Sequence, residues 1–125
     1  MALHHIKGKE GEDQAAKMLQ DKGYILLERN WRFKKGEIDI IAQQNNIIVF
    51  AEVKTRSTEK FGYPEFSVTA KKQKLLAATA EAYLYEKQLD NEIRFDIITI
   101  ISNNTTNEIR HFEDAFFPNP TDDLQ

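Results

Sequence analysis

The chain has 125 residues, 41% hydrophobic and 30% charged, with a formal net charge of −3. That is the composition of one soluble globular domain with a single core, and the negative total argues against a protein that coats nucleic acid nonspecifically. The absence of cysteine excludes disulfides, thiolate metal sites and cysteine catalysis; no segment approaches the roughly 20 apolar residues of a membrane span, and Met1 to Ile6 lacks a signal-peptide run, so a cytoplasmic location is expected.

Residues from about Gly8 to Lys22 have helical composition, with Ala15, Ala16 and Leu19 as an apolar stripe and Gly23 as the stop. Glu12 is spaced to lie on that inward stripe. An acid there is either a first-turn residue favoured by the helix dipole or a side chain aimed at a site above the sheet. His4 and His5 read as solvated terminus. Tyr24 to Trp31 reads as a first strand, followed by a basic turn through Lys34, Lys35 and Gly36. Trp31, beside the strand end, reads as a core plug rather than a base-stacking platform.

Gly36-Glu37-Ile38-Asp39-Ile40-Ile41 and Val49-Phe50-Ala51-Glu52-Val53-Lys54-Thr55-Arg56 are rich in β-branched and aromatic residues, and Gln43-Gln44-Asn45-Asn46 supplies turn chemistry between them. A two-residue Asn45-Asn46 turn sets Gln44 opposite Ile47 and Asp39 opposite Glu52, with Cβ atoms about 4.5–5.5 Å apart. By alternation, Glu37, Asp39 and Ile41 share a face with Phe50, Glu52 and Lys54. Like charges facing each other destabilise a sheet, so the pairing needs a reason beyond folding. A divalent cation that takes hard oxygen ligands, Mg²⁺ or Mn²⁺, is one. The competing reading is the wet face of an ordinary hairpin, with Glu37 paired to Lys54 or Arg56 at the surface. The apolar run of Val49, Phe50 and Val53 marks a central strand, where acids are seldom placed for solubility alone.

Thr55 through Pro64 reads as a loop, which makes Arg56 and Ser57 either phosphate contacts or parts of a solvated surface. Thr69 is the expected N-cap of a helix running to about Lys87, with Leu76, Ala80, Tyr83 and Leu84 buried. Lys72 lies on its inner side in the first turn, where a lysine opposes the macrodipole unless an anion approaches. Gln73 either reaches the same place or belongs to an exposed first turn. From Lys54 to Lys74, six basic residues stand against two acids; from Glu108 onward the balance is acidic. Asn91 to Ile101 alternates as a strand buried on both sides, with Asp96 either a salt-bridged strand residue, the favoured reading, or a further acid near the site. Glu108 to Phe112 is a last short strand, and residues 118–125 read as a frayed tail. The expected fold is one α/β domain over residues 1–117, a mixed sheet of about five strands flanked by helices in the order αβββαββ.

Gly11-Glu12, Arg29-Asn30-Trp31-Arg32, the two hairpin strands, Phe61-Gly62-Tyr63-Pro64, Arg94-Phe95-Asp96 and His111-Phe112-Glu113-Asp114-Ala115-Phe116 together resemble the YraN-like bacterial family, long classed as uncharacterised. The resemblance runs from Gly8 to Phe117. That family is similar in fold to the restriction-endonuclease-like (PD-(D/E)xK) nucleases and, within them, to archaeal Holliday-junction resolvases. Asp39 matches the first acid of their signature, Glu52 and Lys54 match the pair around Val53, and Glu12 matches the helical acid of many members. Ile38 stands where a proline usually precedes the first acid.

The resemblance implies a metal-dependent nuclease. Asp39 and Glu52, with Glu12 through water and the Val53 carbonyl, would hold Mg²⁺ or Mn²⁺, and Lys54 would orient the nucleophile or stabilise charge. Arg56, Ser57, Lys72 and Gln73 would position the backbone of a nucleic acid, DNA in preference to RNA, including branched recombination or repair intermediates. A homodimer is also implied, because resolvase-like nucleases that cut two strands symmetrically generally act as dimers, yet no stretch announces a dimer seam. Two readings stay open beside this one: a module of the same fold that binds nucleic acid without cutting, and a protein-interaction domain whose acids are merely surface.

Overall fold

In the computed structural model, which describes residues 8–57 and 68–117, the chain follows the expected element order. Helix α1 (Gly8–Asp21) precedes strands β1 (Ile25–Phe33), β2 (Gly36–Gln44) and β3 (Ile47–Arg56). Helix α2 (Ala70–Lys87) then leads to β4 (Glu92–Ser102) and β5 (Asn107–Phe116). The strands lie side by side in sequence order, with β3 and β4 parallel and all other neighbours antiparallel. Parallel neighbours cannot be joined by a hairpin, and α2 lies in the crossover that this pair requires.

The helices cover opposite faces. Ala15, Ala16 and Leu19 of α1 pack with Ile40, Ala42, Val49, Ala51, Ile98 and Ile100. On the other face Leu76, Ala80 and Tyr83 of α2 pack with Ile41, Ile48, Phe50, Phe95 and Ile97. Alternate side chains of β3 and β4 thus feed both layers, which is why those strands read as almost unbroken apolar runs. Trp31 meets the Tyr83 ring edge-on at 5.1 Å and is part of the α2-side core. No helix among the described residues is long and apolar enough to cross a membrane.

Gln44 pairs with Ile47 around the Asn45-Asn46 turn, with Asn45 at φ 53°, a left-handed conformation that asparagine tolerates. The Thr69 hydroxyl caps α2 by accepting the Lys72 N–H at 3.2 Å. Three expectations change. Thr55 and Arg56 are strand residues, paired with Ile100 and Ile101, because the isoleucine run of β4 offers them a ladder. The last strand continues past Phe112 to Phe116, which pairs with Phe95 beyond a register shift. Leu84 is only partly buried. His4, His5, Phe61–Pro64 and the tail 118–125 lie outside the described residues.

Gly36 begins β2 directly beneath α2. A Cβ there would overlap Thr79 Oγ1 and stand 3.1 Å from Thr79 Cβ. Thr79 is buried and its hydroxyl donates to the Leu75 carbonyl at 2.7 Å, so it cannot turn aside freely. Gly36→Ala is therefore expected to cost about 1–3 kcal/mol. An unchanged urea midpoint would refute this close approach.

Candidate active site

The β2–β3 ladder closes at Ile40–Ala51. One residue further, where continued register would set Asp39 against Glu52, the two strands part. β3 keeps pairing with β4 as far as Arg56–Ile101, while β2 stays with β1. On the side of β3 that β2 has left, the Val53 N–H donates to Asp39 Oδ2 at 2.8 Å. Packing records the same break: Ile38 belongs to the α2-side core and Ile40 to the α1-side core, so the alternation of β2 skips a step at Asp39. In β1, Asn30 at φ 52° separates Arg29, which reaches α1, from Trp31, which reaches α2. The irregularity leaves the Asp39 carboxyl in the wedge between β2 and β3.

Asp39 and Glu52 are 9% and 5% exposed, and their side chains are hydrogen-bonded to each other. Burial, then the bond to Glu52 and its negative charge, push the Asp39 carboxyl up to about 8, against the opposing pull of the Val53 N–H and Lys72. At neutral pH Asp39 carries the proton that lets the two carboxyl groups meet. Lys72 Nζ enters from the first turn of α2 and stands 3.2 Å from Glu52 Oε2. Thus Glu52 is the anion that offsets the lysine's unfavourable place in the helix. The contact has ion-pair distance without hydrogen-bond alignment, and buried Oε2 has no hydrogen-bond partner among the described residues. Two hard carboxyl groups, one with a displaceable proton and the other with an unsatisfied oxygen, form a donor set that fits Mg²⁺ or Mn²⁺.

Lys54 follows Glu52 on the same face of β3 and is half-buried; burial, then the charge of Lys72, lower its pKa. Glu12 is turned toward β1, where Asn30 Nδ2 donates to its Oε1 at 2.8 Å and Arg29 Nη2 stands 3.8 Å away. Burial, and after it the charge of Asp39, raise the Glu12 pKa against the Asn30 bond. Among the described residues, however, no three acidic or histidine side chains are gathered closely enough to make a metal-binding group. Glu37 does not join the pair, since Arg32 Nε donates to it at 2.6 Å. Gln73 Nε2 donates to the Val68 carbonyl at 3.0 Å. Arg56 is half-buried at the end of β3; Ser57 is exposed, and its carbonyl accepts from Asn103 Nδ2 at 2.8 Å.

Two participants escaped the sequence reading. Asn30 holds Glu12, and its signal was its place in the Arg29-Asn30-Trp31-Arg32 stretch that carries the family resemblance, which assigned it no role. Lys35 joins Thr69, Lys71, Lys72, Lys74 and Leu75 around a basic hollow of about 540 Å³. The packing of α2 over Gly36 brings that lysine from the β1–β2 turn to the helix.

Asp96 offers a contrast on the opposite, α1-side face. It is fully buried, and Arg94 donates to it from Nε and Nη2, each at 2.8 Å. The Asp114 N–H donates at 3.0 Å, and His111 Nε2 lies 2.7 Å away. Lys22 Nζ donates to His111 Nδ1 at 2.9 Å, which assigns the Nε2 proton to the Asp96 bond. Burial would raise the Asp96 pKa, but His111, Arg94 and the Asp114 N–H outweigh it and hold the group below its usual range. Arg94 also donates to Gln44 Oε1 at 3.0 Å and to the Tyr24 hydroxyl at 2.7 Å. Asp96 is the salt-bridged strand residue its sequence context suggests.

The family model described as "Uncharacterised protein family UPF0102" matches residues 11–100. A UPF0102 protein of Flavobacterium psychrophilum is 50% identical over 117 residues, covering 94% of this chain and 98% of the relative. One from Phocaeicola vulgatus is 47% identical over 118 residues, with coverage of 94% and 98%. Another from Persephonella marina is 46% identical over 112 residues, with coverage of 89% and 93%. A match along most of the chain, together with relatives aligned over nearly their whole length, means that this protein belongs to the uncharacterised protein family UPF0102.

Proposed function

We propose that this protein is a metal-dependent nuclease that hydrolyses phosphodiester bonds, acting on DNA in preference to RNA and on branched recombination or repair intermediates as its resemblance to resolvases suggests. The observation that carries this reading is the incomplete bonding of a buried acid pair. An acid retained for stability is saturated with donors, as Asp96 is; Glu52 keeps a buried oxygen that faces Lys72 but has no hydrogen-bond partner among the described residues, against a neighbour whose pKa is raised to about 8.

Asp39 and Glu52 would hold Mg²⁺ or Mn²⁺, with Glu12, fixed by Asn30, acting through water. When bound there, the ion would acidify a water and neutralise the scissile phosphate. Lys54 Nζ, with its lowered pKa, exchanges a proton more readily than a surface lysine and is suited to orienting the nucleophile. Lys72, moving off Glu52, would meet the phosphate backbone together with Lys35, Lys71 and Lys74, while Arg56 and Ser57 extend that surface from the end of β3. Gln73 supports it indirectly by tying the first turn of α2 to Val68.

Incubation of the purified protein with duplex, single-stranded and four-way-junction DNA and with RNA, in Mn²⁺ or EDTA, tests the reading. Cutting should require the metal and fall about a hundredfold or more in Asp39→Ala, Glu52→Ala and Lys54→Ala. Equal cutting by all three variants would remove the site. Salt-dependent junction binding without cutting would leave a binding module instead.

Lys72→Met supplies a separate test, because it removes the cation that competes for Glu52. Titration calorimetry should find Mn²⁺ bound about tenfold more tightly by the free variant. DNA binding should weaken and lose about one counterion from its salt dependence. Unaltered Mn²⁺ affinity would sink the competition.

A further inference from the structure

Phe33 ends β1 with its ring in the open. It is 40% exposed, although phenylalanine is ordinarily a core residue, and its plane lies 5° from parallel to Trp31 with the ring centroids 6.5 Å apart. Trp31 is in turn fixed against Tyr83, so the Phe33 ring leans on one anchored in the core. Lys34 Nζ stands 5.3 Å from the Phe33 centroid, a cation over an accessible π-face. Packing accounts for Trp31 and leaves Phe33 without a use.

With Ala78, Ala82 and Tyr85, Phe33 lines a groove of about 640 Å³ beside α2. The basic hollow of Lys35, Lys71 and Lys72 precedes it along the helix: Leu75 lines the hollow, and Ala78, one turn on, lines the groove. Leu75 is 40% exposed and Tyr85 87%, so apolar surface continues along a side of α2 that would ordinarily be polar. Because Lys72 also reaches Glu52, the hollow connects the acid pair to the groove. From Lys72 to Ala78 the helix rises about 9 Å, within reach of neighbouring nucleotides on one strand.

The two depressions differ in charge. Lysines in the hollow suit phosphates, whereas Glu81 and Glu86 on the rim of the groove disfavour them, Glu86 already standing 3.6 Å from Lys87. A neutral planar ring meets no such penalty. The alanines leave it room and Phe33 offers it a face. Bases within a duplex are stacked on one another and present only their edges, so a ring free to lie on Phe33 is unpaired.

We infer that Phe33, with Ala78 and Ala82, is a stacking site for an unpaired base of the strand whose phosphates occupy the basic hollow. The inference rests on the nuclease reading for its substrate. It narrows that substrate to nucleic acid with a single-stranded stretch beside the scissile phosphate, a flap or fork rather than a fully paired duplex.

Binding measured in EDTA separates recognition from cutting. Fluorescence anisotropy of the full chain with a single-stranded oligonucleotide, and with a blunt duplex of the same sequence, compares wild type with Phe33→Leu and Phe33→Tyr, each checked for folding by circular dichroism. Phe33→Leu keeps apolar bulk but loses the ring, so single-strand affinity should fall about tenfold or more while duplex affinity stays within about twofold. Phe33→Tyr keeps the ring and should bind like wild type. An aminopurine fluorophore in the single strand should be quenched by wild type and Phe33→Tyr, and should regain its emission with Phe33→Leu. Unchanged single-strand affinity in Phe33→Leu overturns the stacking site, as does a loss shared equally by the duplex or a wild type that binds no single strand. Metal-dependent cutting without ring-dependent binding would remove the stacking site and leave the nuclease; ring-dependent binding without cutting would do the opposite.

Discussion

Asp96→Ala is expected to cost about 3–5 kcal/mol, a large share of the roughly 5–15 kcal/mol that holds a domain folded. The substitution strands a guanidinium. Arg94 has a side chain only 13% exposed, and a guanidinium keeps its proton at any ordinary pH, so it stays charged when its partner is removed. The His111 ring and the Asp114 N–H lose their acceptor at the same time. Urea unfolding followed by circular dichroism should register the loss, and a change under about 1 kcal/mol would mean that the network is not buried as described. Acid should act on the same group. Because the folded pKa of Asp96 lies below its ordinary 3.8, its contribution is complete above that value and disappears as pH falls through the folded one.

Asp39→Asn should do the reverse, stabilising the metal-free protein while abolishing the proposed nuclease activity. The wild-type carboxyl is raised from 3.8 to about 8, so between those values the folded chain holds a proton that the unfolded chain has released. Stability of the metal-free wild type therefore falls as pH rises through that window. Asparagine keeps an acceptor for the Val53 N–H and supplies a donor toward Glu52, without a charge to bury. The variant should gain about 2 kcal/mol at pH 8, and the gain should shrink toward zero near pH 4. It should lose hydrolysis by about a hundredfold or more.

The wild type should bind Mn²⁺ more tightly as pH rises toward 8, releasing a proton that calorimetry in buffers of different ionisation enthalpy can count; the variant should release none. Should Asp39→Asn prove no more stable at pH 8, the two acids do not share a proton and the case for an ion between them weakens. Stability gained at the expense of activity is what a functional acid pair predicts, and what a merely structural pair such as Asp96 and Arg94 does not.

Hairpin geometry made Asp39 and Glu52 legible before any coordinates. Once Asn45-Asn46 forms a two-residue turn, the two-residue period of β structure sets which positions come level from Gln44 and Ile47 to Ile40 and Ala51, and the acids follow next, where the strands part and Asp39 turns into the wedge. The cap at Thr69 and the bond of Arg94 to Asp96 were readable for a similar reason, since each is set by neighbours a few residues away, whereas His111 and the Asp114 N–H reach Asp96 from β5. Other features were not. Extended pairing of Arg56 depends on β4, more than forty residues further along, as the pairing of Ile101 with Arg56 shows. The withdrawal of Glu37 follows from a break in alternation at Asp39, alongside a left-handed Asn30 on the neighbouring strand.

The same division separates the two faces of α2. Its sequence carries apolar residues on more than one side, and nothing local says which stripe the sheet will take. By itself the sequence determined the elements, their order and the hairpin register as far as Ile40 opposite Ala51, because turns, caps and side-chain periods are short-range steric matters. Tertiary structure alone decided that Lys72 would meet Glu52, that Asn30 would hold Glu12 and that Leu75 and Tyr85 would be left in water. Those outcomes depend on how a helix packs across strands distant in the chain, and no local spacing encodes that packing.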